Sequence, residues 1–362
     1  MKTNKLLKVI ITIVSSLIVI SAFIVIDLLN ETALAPLLSS VEYYIPEDFE
    51  DPDALLYITE TPPEMSEPPS STEPEEEPKN EPGLPNRNEN DDEYIDPGYV
   101  LFRMDESEIS RGHLILVNHD HEFVFPDDEQ NDLISINEHL IETVGTTTQN
   151  TILSASIITP FNDMMSAFHE HTSITNVVIR SAFRSIAGQQ TIFNDNVRRW
   201  GRTGALLWAS RPGHSEHHTG LAFDLGIRRS GLIEVFEGTG SYAWIPRNSH
   251  NYGFILRYPR GKTAITQTNF EPWHYRYVGI PHATIMRTNN WVLEEYIEKI
   301  KNYTFEEPYL FEFNNTEYII YFTSDLDVKL PYDVDFIISG NNVDGFIITA
   351  WKITEWEEGV GD

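Results

Sequence analysis

The chain has 362 residues, enough for one sizeable core with extensions, and carries a formal net charge of −31 at pH 7. It contains no cysteine, which excludes disulfides, zinc sites built from thiolates and cysteine nucleophiles. The acidic balance, with no basic patch carrying interleaved aromatic residues, argues against a nucleic-acid partner because phosphates would be repelled.

The N-terminus has the pattern of a membrane anchor. Lys2, Lys5 and Lys8 precede an uncharged, mostly apolar run over residues 9–26, whose length is at the lower limit for a spanning helix. A small-x-small sequence at residues 33–35 resembles a cleavage site, but the proline that follows it disfavours processing. We therefore predict a cytoplasmic start and an uncleaved single-pass anchor within residues 1–30, with the rest of the chain extracytoplasmic, on the cell-wall side.

Residues 31–98 are predicted to form a disordered linker. Positions 46–97 hold 18 acidic residues against two basic ones, together with 11 prolines. So few apolar groups cannot offset the entropy lost on folding. The linker is therefore expected to be an extended spacer that holds the following domain away from the membrane.

Beyond residue 98 the hydrophobic pattern alternates between strand-like runs and helical spacing. In chain order it predicts a strand over 114–118, helices over 131–144 and 160–171, a strand over 176–181, a helix over 186–200 ended by Gly201, a strand over 221–227, a helical segment over 240–252 ended by Gly253, a strand over 254–258 and a helix over 281–302. After residue 303 three strands are predicted, over 318–322, 335–338 and 345–351. We therefore predict an α+β fold: a domain over 99–302 with helices packed on a small antiparallel sheet, then a β-rich appendage over 303–362.

Residues 213–224 read GHSEHHTGLAFD and contain three of the chain's 12 histidines. A turn at Gly220 would bring His217 beside the strand that carries Asp224, and zinc accepts an imidazole nitrogen together with a carboxylate oxygen. Two ligands hold a metal weakly, and His274, in NFEPWHYRY (269–277), can supply the third while leaving one position open for water. Glu271 can then be the general base that takes a proton from that water, whose pKa the metal lowers toward about 7.

Three neighbouring side chains are interpreted as supporting residues. His214 and His218 flank the candidate ligand His217 and are expected to be its neighbours rather than ligands, because the motif already supplies two ligands. Trp273 is expected to pack against the wall of the site, since an indole beside a ligand is more often a packing residue than a recognition residue. A serine nucleophile is excluded because the chain has no G-x-S-x-G sequence.

These motifs resemble those of the LAS metallopeptidases, and most closely the VanY-type D-alanyl-D-alanine carboxypeptidases. The resemblance is carried by RPG (211–213), SEHHTGLAFD (215–224), YGFILRYP (252–259) and EPWHYRYVG (271–279). It covers roughly residues 112–299, and ISGNNVDGFIIT (338–349) resembles a C-terminal extension of some relatives. Two separated and chemically complementary motifs in the right order make the resemblance specific. It implies a LAS/hedgehog-like fold whose small sheet carries a zinc site.

The resemblance also implies roles for individual residues. It identifies the catalytic base and the three zinc ligands as Glu271, His217, Asp224 and His274. Arg184 lies in SAFRS (181–185), which matches the family segment S-G-Y-R-S except for alanine and phenylalanine in the middle. Its guanidinium would stabilise the oxyanion of the tetrahedral intermediate and orient the substrate. Gln189 and Ser215 match family positions near the substrate.

We therefore expect a zinc-dependent D,D-carboxypeptidase that removes the terminal D-alanine from peptidoglycan stem peptides and works as a monomer. The same zinc site also suits an L,D-carboxypeptidase or a peptidoglycan endopeptidase, because the pocket walls that choose among these bonds cannot be read from the sequence. A non-catalytic module that binds the cell wall is a further alternative. Such a module would have lost the base or a ligand, and this chain retains all four residues.

Overall fold

The computed structural model describes residues 98–126 and 132–353. The predicted anchor and nearly all of the predicted acidic linker lie outside the described residues, and both stay predictions. Within the described part of the chain, no helix is both long and apolar enough to cross a membrane.

The described residues form a mixed fold of small sheets and helices. The strands are Tyr99–Arg103 (β1), Leu133–Ser135 (β2), Gly145–Thr146 (β3), Ile152–Ser154 (β4), Val177–Ser181 (β5), Ala222–Arg229 (β6), Leu232–Val235 (β7), Phe254–Leu256 (β8), His274–Tyr277 (β9), Tyr309–Phe313 (β10), Thr316–Thr323 (β11), Asp327–Pro331 (β12), Asp335–Gly340 (β13) and Phe346–Ile353 (β14). The α-helices are Ile158–Thr172 (α1), Ile186–Leu206 (α2), Trp244–Asn248 (α3), Thr263–Thr266 (α4), Ile280–Asn289 (α5) and Leu293–Ile300 (α6). The 3₁₀ turns are Glu106–Ser110, Ala155–Ile157, Glu216–Thr219, Gly240–Ala243 and Ser249–Tyr252.

A six-stranded sheet lies at the centre of the fold, with strand order β3-β5-β6-β9-β8 and with β7 paired to β6. All its pairs are antiparallel, as predicted for this sheet, except β3 with β5, which is parallel. Its register sets Asp224 on β6 opposite His274 on β9 and opposite Ser181 on β5. Strand pairing alone therefore brings two predicted metal ligands together.

Helix α1 covers the apolar side of this sheet. Its buried residues include Ile158, Phe161, Met165 and Phe168, which recur every three or four positions and so share one helix face. The ring of Phe161 packs edge-on against Phe223 of β6, with 5.0 Å between the ring centroids. This packing confirms the helix predicted over residues 160–171.

Helix α2 breaks where the sequence predicted. Its N-cap is Ser185, whose hydroxyl accepts a hydrogen bond from the backbone N–H of Gly188. Gly201 leaves the helical conformation, with φ 71° and ψ 169°, so the regular helix ends after Trp200. The helical segment predicted over 240–252 is also present, as α3 between two 3₁₀ turns, and ends at Gly253 with φ 83°.

The C-terminal strands form a second sheet, of order β10-β11-β14-β13, while β12 pairs with β1. The three strands predicted here are present and longer than predicted; β1, β10 and β12 were missed. Ile320 of β11 and Ile347 of β14 share a buried apolar cluster with Ile297 and Ile300 of α6. The predicted domain boundary at residue 303 stays a prediction.

Two predicted elements are wrong because hydrogen bonds to other segments of the chain compete with them. Residues 132–144 form β2 and turns instead of a helix: Asn137 accepts from the N–H of Thr151 and donates to the carbonyl of Thr148, which favours a turn. Residues 114–118 are buried but form no strand. Leu116 N–H donates to the carbonyl of Asn341 and Leu114 N–H to the hydroxyl of Ser339, so these residues do not join a strand ladder.

The helix predicted over residues 281–302 is two helices. Asn290 adopts a left-handed conformation with φ 53° and ends α5. Helix α6 begins after Val292, where the Glu295 carboxylate accepts the N–H of Val292. The break lets α6 present Leu293, Tyr296 and Ile297 to the core.

Candidate active site and metal centre

Three side chains with metal-binding atoms meet at the centre of the sheet. His217 lies on the turn Glu216–Thr219, Asp224 on β6 and His274 on β9, and their ligand atoms all lie within 4.8 Å of one another. Gly220, which ends the turn, has φ 71°, a left-handed conformation that favours glycine. The turn predicted at Gly220 is therefore present and brings His217 next to Asp224.

The hydrogen bonds of His217 fix which of its nitrogens carries the proton. Its Nδ1 lies 2.7 Å from the carbonyl oxygen of Ala182, and because a carbonyl only accepts, Nδ1–H donates. Nε2 of the neutral ring therefore keeps a lone pair, which faces Asp224 Oδ1 at 3.4 Å.

His274 has the same arrangement with its ring nitrogens exchanged. Its Nε2 lies 3.4 Å from Glu216 Oε2, and its Nδ1 lies 3.0 Å from Asp224 Oδ1. If Nε2–H donates to Glu216, the Nδ1 lone pair also faces the Asp224 carboxylate. Such groups repel one another unless a cation lies among them, and two imidazoles with one carboxylate form a donor set of catalytic zinc sites. The three residues therefore fit a zinc ion.

Without a metal, a proton takes the place of the cation. Burial lowers the pKa of His274, but hydrogen bonds to Asp224 and Glu216 outweigh burial and raise the pKa to about 9. Burial, helped by the charge of Arg184, lowers the pKa of His217 to about 4. Burial opposes ionisation of Asp224, but the two histidines hold its pKa well below the usual range. A metal would therefore displace a proton from His274.

Glu271 lies directly beside this cluster. Its Oε2 is 3.9 Å from His274 Nδ1, and its backbone N–H donates to the carbonyl of Tyr258 at 3.1 Å. Burial raises the pKa of Glu271 to about 8, an effect that His274 opposes and the Asp224 charge reinforces. A carboxyl with this pKa can exchange a proton near neutral pH, as a general acid–base group must.

Arg184 is held in place by two other polar side chains. Its Nη1 donates to Gln189 Oε1 at 2.6 Å and its Nη2 to Ser181 Oγ at 2.7 Å. Gln189 is buried, and its Nε2 donates to the carbonyl of Ser210 at 2.6 Å. Both ends of the Gln189 amide therefore take part in holding Arg184. The predicted contact of Gln189 with the substrate stays a prediction.

The two flanking histidines join loops instead of the metal cluster. The His218 ring lies between the carbonyl of Arg184, 2.6 Å from Nδ1, and the N–H of Gly213, 3.1 Å from Nε2. His214 Nδ1 lies 2.9 Å from the carbonyl of Asn118. Neither ring belongs to the group that can hold a metal among the described residues, in agreement with their predicted supporting role.

Sequence reasoning missed a buried group of charges behind His274. Glu216, adjacent to His217, has no solvent exposure and pairs with Arg257 and Arg276, which have none either. Arg276 also donates to the backbone carbonyl of Ile115. The available signal was an arginine in each of two short sequences rich in apolar or aromatic residues, FILRY and HYRY, because a charge buried there must find a partner.

All seven predicted site residues line one pocket, with a volume of about 610 Å³: Arg184, Gln189, Ser215, His217, Asp224, Glu271 and His274. Trp273 lines it as predicted. Tyr258, which the sequence analysis did not assign, also lines it, and its ring centroid is 4.9 Å from that of His274. The roles assigned to the individual residues stay predictions.

The chain is similar to proteins that are already known. A family model described as VanY, D-alanyl-D-alanine carboxypeptidase, matches residues 150–280. A D-alanyl-D-alanine carboxypeptidase of Enterococcus faecium is 32% identical over 251 residues, which are 68% of this chain and 77% of that protein.

Two solved structures are also similar. The vancomycin-resistance D,D-dipeptidase VanXYg, in complex with a D-Ala-D-Ala phosphinate analogue, is 32% identical with a TM-score of 0.61, over 70% of this chain and 99% of that one. A mutant of the D,D-pentapeptidase VanY from a VanB-type resistance cassette, in complex with Zn(II), is 30% identical with a TM-score of 0.42, over 51% and 98%.

Proposed function

Because the chain belongs to the VanY-type family of D-alanyl-D-alanine carboxypeptidases, we propose that it is a zinc-dependent D,D-carboxypeptidase that removes the terminal D-alanine from peptidoglycan stem peptides. The observation that carries this conclusion is the convergence of His217, Asp224 and His274 within 4.8 Å, beside the carboxyl of Glu271. These three residues would hold the zinc. Bound zinc supplies Lewis acidity, which polarises the scissile carbonyl and makes water a stronger acid.

We propose that Glu271 is the general base. It would take a proton from the attacking water and deliver that proton to the amine of the leaving D-alanine. Its burial and its distance of 3.9 Å from His274 support this role. Because the burial of its carboxyl favours the protonated form, Glu271 can hold the proton between the two steps.

Arg184 is proposed to stabilise the negative charge that develops on the carbonyl oxygen. Its hydrogen bonds to Gln189 and Ser181 fix the guanidinium before substrate arrives, so little reorganisation is needed during the reaction. Ser215 is buried and lines the same pocket, which supports a contact with the bound peptide.

The test is release of D-alanine from a pentapeptide stem by the zinc-loaded full-length protein. We expect chelation to abolish release, added zinc to restore it, and Glu271→Gln to abolish it with zinc still bound. Full activity of the Glu271→Gln variant would remove Glu271 as the base. Mass spectrometry of the products separates the alternatives, because an L,D-carboxypeptidase would shorten a tetrapeptide and an endopeptidase would open a cross-link.

We further propose that residues 1–30 anchor the enzyme in the membrane with the catalytic domain on the cell-wall side. The support is the three lysines before the apolar run over residues 9–26 and the acidic, proline-rich spacer after it. Protease added to intact protoplasts should remove the catalytic domain. Protection of that domain would contradict the proposal.

We also propose that the enzyme acts as a monomer with residues 303–362 as a supporting appendage. All seven candidate site residues come from one chain and need no second copy. The cluster shared by Ile320, Ile347 and Ile297 supports a stabilising role for the C-terminal strands. Light scattering should give the mass of one chain, and a chain ending at residue 302 should melt at a lower temperature than the full chain.

A further inference from the structure

The pocket that holds the candidate site has an excess of positive charge. Arg180, Arg184 and Arg199 line it, against two carboxylates among the described lining residues, Asp224 and Glu271. A zinc ion would balance those two carboxylates and leave three guanidinium groups. This excess of cationic side chains in one pocket suits an anionic ligand.

Two of these arginines are not used by the mechanism. Arg184 is held by Ser181 and Gln189. Arg180 and Arg199, here called the rim arginines, are solvent-exposed, and in the part of the chain that the structure describes their guanidinium groups have no hydrogen-bond or ion-pair partner. They are therefore free to bind a ligand.

The rim arginines lie at different distances along the pocket. Arg180 directly precedes Ser181 on β5, and Ser181 lies opposite Asp224 on β6. Arg180 therefore lies near the reaction centre. Arg199 lies ten positions after Gln189 on α2. Both residues line the pocket, and so do Ile192 and Asn196, which lie between them on the helix. At 1.5 Å per helical residue, Gln189 and Arg199 are about 15 Å apart along the helix, a distance that an extended peptide covers with about four residues.

Two exposed tryptophans complete this end of the pocket. Trp200 and Trp208 are 55% and 43% exposed, and both line the pocket. The break at Gly201, with φ 71°, turns the chain between them. Large aromatic side chains exposed together beside cations provide apolar area for the aliphatic part of a bound peptide.

We propose that Arg180 and Arg199 bind free carboxylates on the acyl side of the scissile bond. The enzyme then selects stem peptides that carry free carboxylates at two positions on this side over the same peptides with those groups amidated. This inference rests on the proposed function, because it assigns further contacts of the same substrate in the same pocket.

The test measures binding in the zinc-loaded full-length Glu271→Gln variant, so that no turnover interferes. Two pentapeptides are compared, one with both acyl-side carboxylates free and one with both converted to amides. We expect the acidic peptide to bind more tightly by about fivefold to 20-fold, as two charge-assisted contacts at a partly exposed site imply. Arg180→Gln and Arg199→Gln, added singly, should each weaken the acidic peptide by about threefold to tenfold and the amidated one by less than about twofold.

The matched control is Arg198→Gln. Arg198 is the exposed neighbour of Arg199 on α2, but it pairs with Asp195 and does not line the pocket, so both peptides should bind as before. Equal binding of the two peptides, or equal losses for both in the rim variants, would overturn the inference. D-alanine release by the unmodified enzyme is measured in parallel, and its absence would overturn the proposed function. The ratio of the affinities for the acidic and the amidated peptide decides separately whether the rim arginines select carboxylates.

Discussion

Glu216 and Arg257 form an ion pair in which neither side chain is exposed to solvent, with Arg257 Nε 2.7 Å from Glu216 Oε1. Arg276 Nη1 donates to the same oxygen at 2.9 Å, and the other oxygen faces His274 Nε2 at 3.4 Å. Arg257 also binds both carboxylate oxygens of Glu294 on α6. A candidate metal ligand is thus joined through buried charges to a helix on another part of the fold.

Replacing Glu216 by glutamine should therefore affect both stability and metal binding. Two buried guanidinium groups would lose their shared partner, and breaking a buried pair costs about 3–5 kcal/mol in free energy of unfolding. The His274 ring would lose a charged acceptor that fixes its tautomer, so zinc affinity should fall by about tenfold to 100-fold. Urea unfolding and competition with a chromophoric chelator measure the two effects.

The control for Glu216 is Glu298→Gln, which removes an exposed pair with Lys301. Its cost should stay below about 1 kcal/mol, with zinc affinity unchanged. Similar losses of stability and zinc affinity in both variants would show that burial of the Glu216 ion pairs has no special effect.

Gly220→Ala should disturb the turn that positions His217. A Cβ at this position would lie 2.2 Å from Leu133 Cδ2 and 3.1 Å from the backbone nitrogen of Ser154, in addition to the strain of φ 71°. We expect a loss of more than about 2 kcal/mol in stability, together with weaker zinc binding. Gly231→Ala is the matched control, because Gly231 has φ 81° with no atom within 4 Å of the added Cβ. If the two variants lose equal stability, strain alone accounts for the effect of Gly220→Ala.

Gln189→Leu should slow the reaction without unfolding the protein. The variant removes the acceptor for Arg184 Nη1, so the guanidinium loses its fixed orientation, and kcat should fall by about tenfold. Gln190→Leu changes the exposed neighbour, which bonds to Asn194, and should leave kcat unchanged. Steady-state kinetics measures kcat of both variants, and circular dichroism checks that both are folded. An unchanged kcat for Gln189→Leu would contradict the role of Gln189 in positioning Arg184.

The metal-free protein should lose stability as the solution becomes alkaline. Folding raises the pKa of His274 from 6.5 to about 9, so its protonated form stabilises the fold fully below pH 6.5, and this contribution disappears as pH rises through about 9. Glu271 acts in the same direction, since its pKa in the fold is raised to about 8. Melting temperatures in chelator should therefore fall between pH 6.5 and 9.

Zinc should remove this dependence, because the metal takes the place of the His274 proton. Zinc-loaded protein should therefore melt at a nearly constant temperature over the same pH range. Zinc binding at pH 7 should release a proton, which calorimetry in buffers of different ionisation enthalpy detects. A metal-free melting temperature that stays flat or rises from pH 6.5 to 9 would contradict the assignment.

The sequence by itself determined the parts of the site that depend on short stretches of chain. Gly220 fixes a turn by its own conformational freedom, and this turn brings His217 next to the nearby Asp224. Helix α1 and the end of α2 at Gly201 follow from local periodicity and from glycine. These features need few distant contacts, which is why the residues alone predicted them.

The tertiary structure decided everything that depends on which distant residues meet. Residues 132–144 have helical spacing, yet pairing with β4 and the hydrogen bonds of Asn137 made them a strand and turns. Arg257 and Arg276 are buried only because the fold brings Glu216 to them. Arg199 lines the pocket only because the fold brings α2 to the same pocket as β5. The energy of a charge depends on whether it is buried and what lies opposite it, and strand register and packing set both.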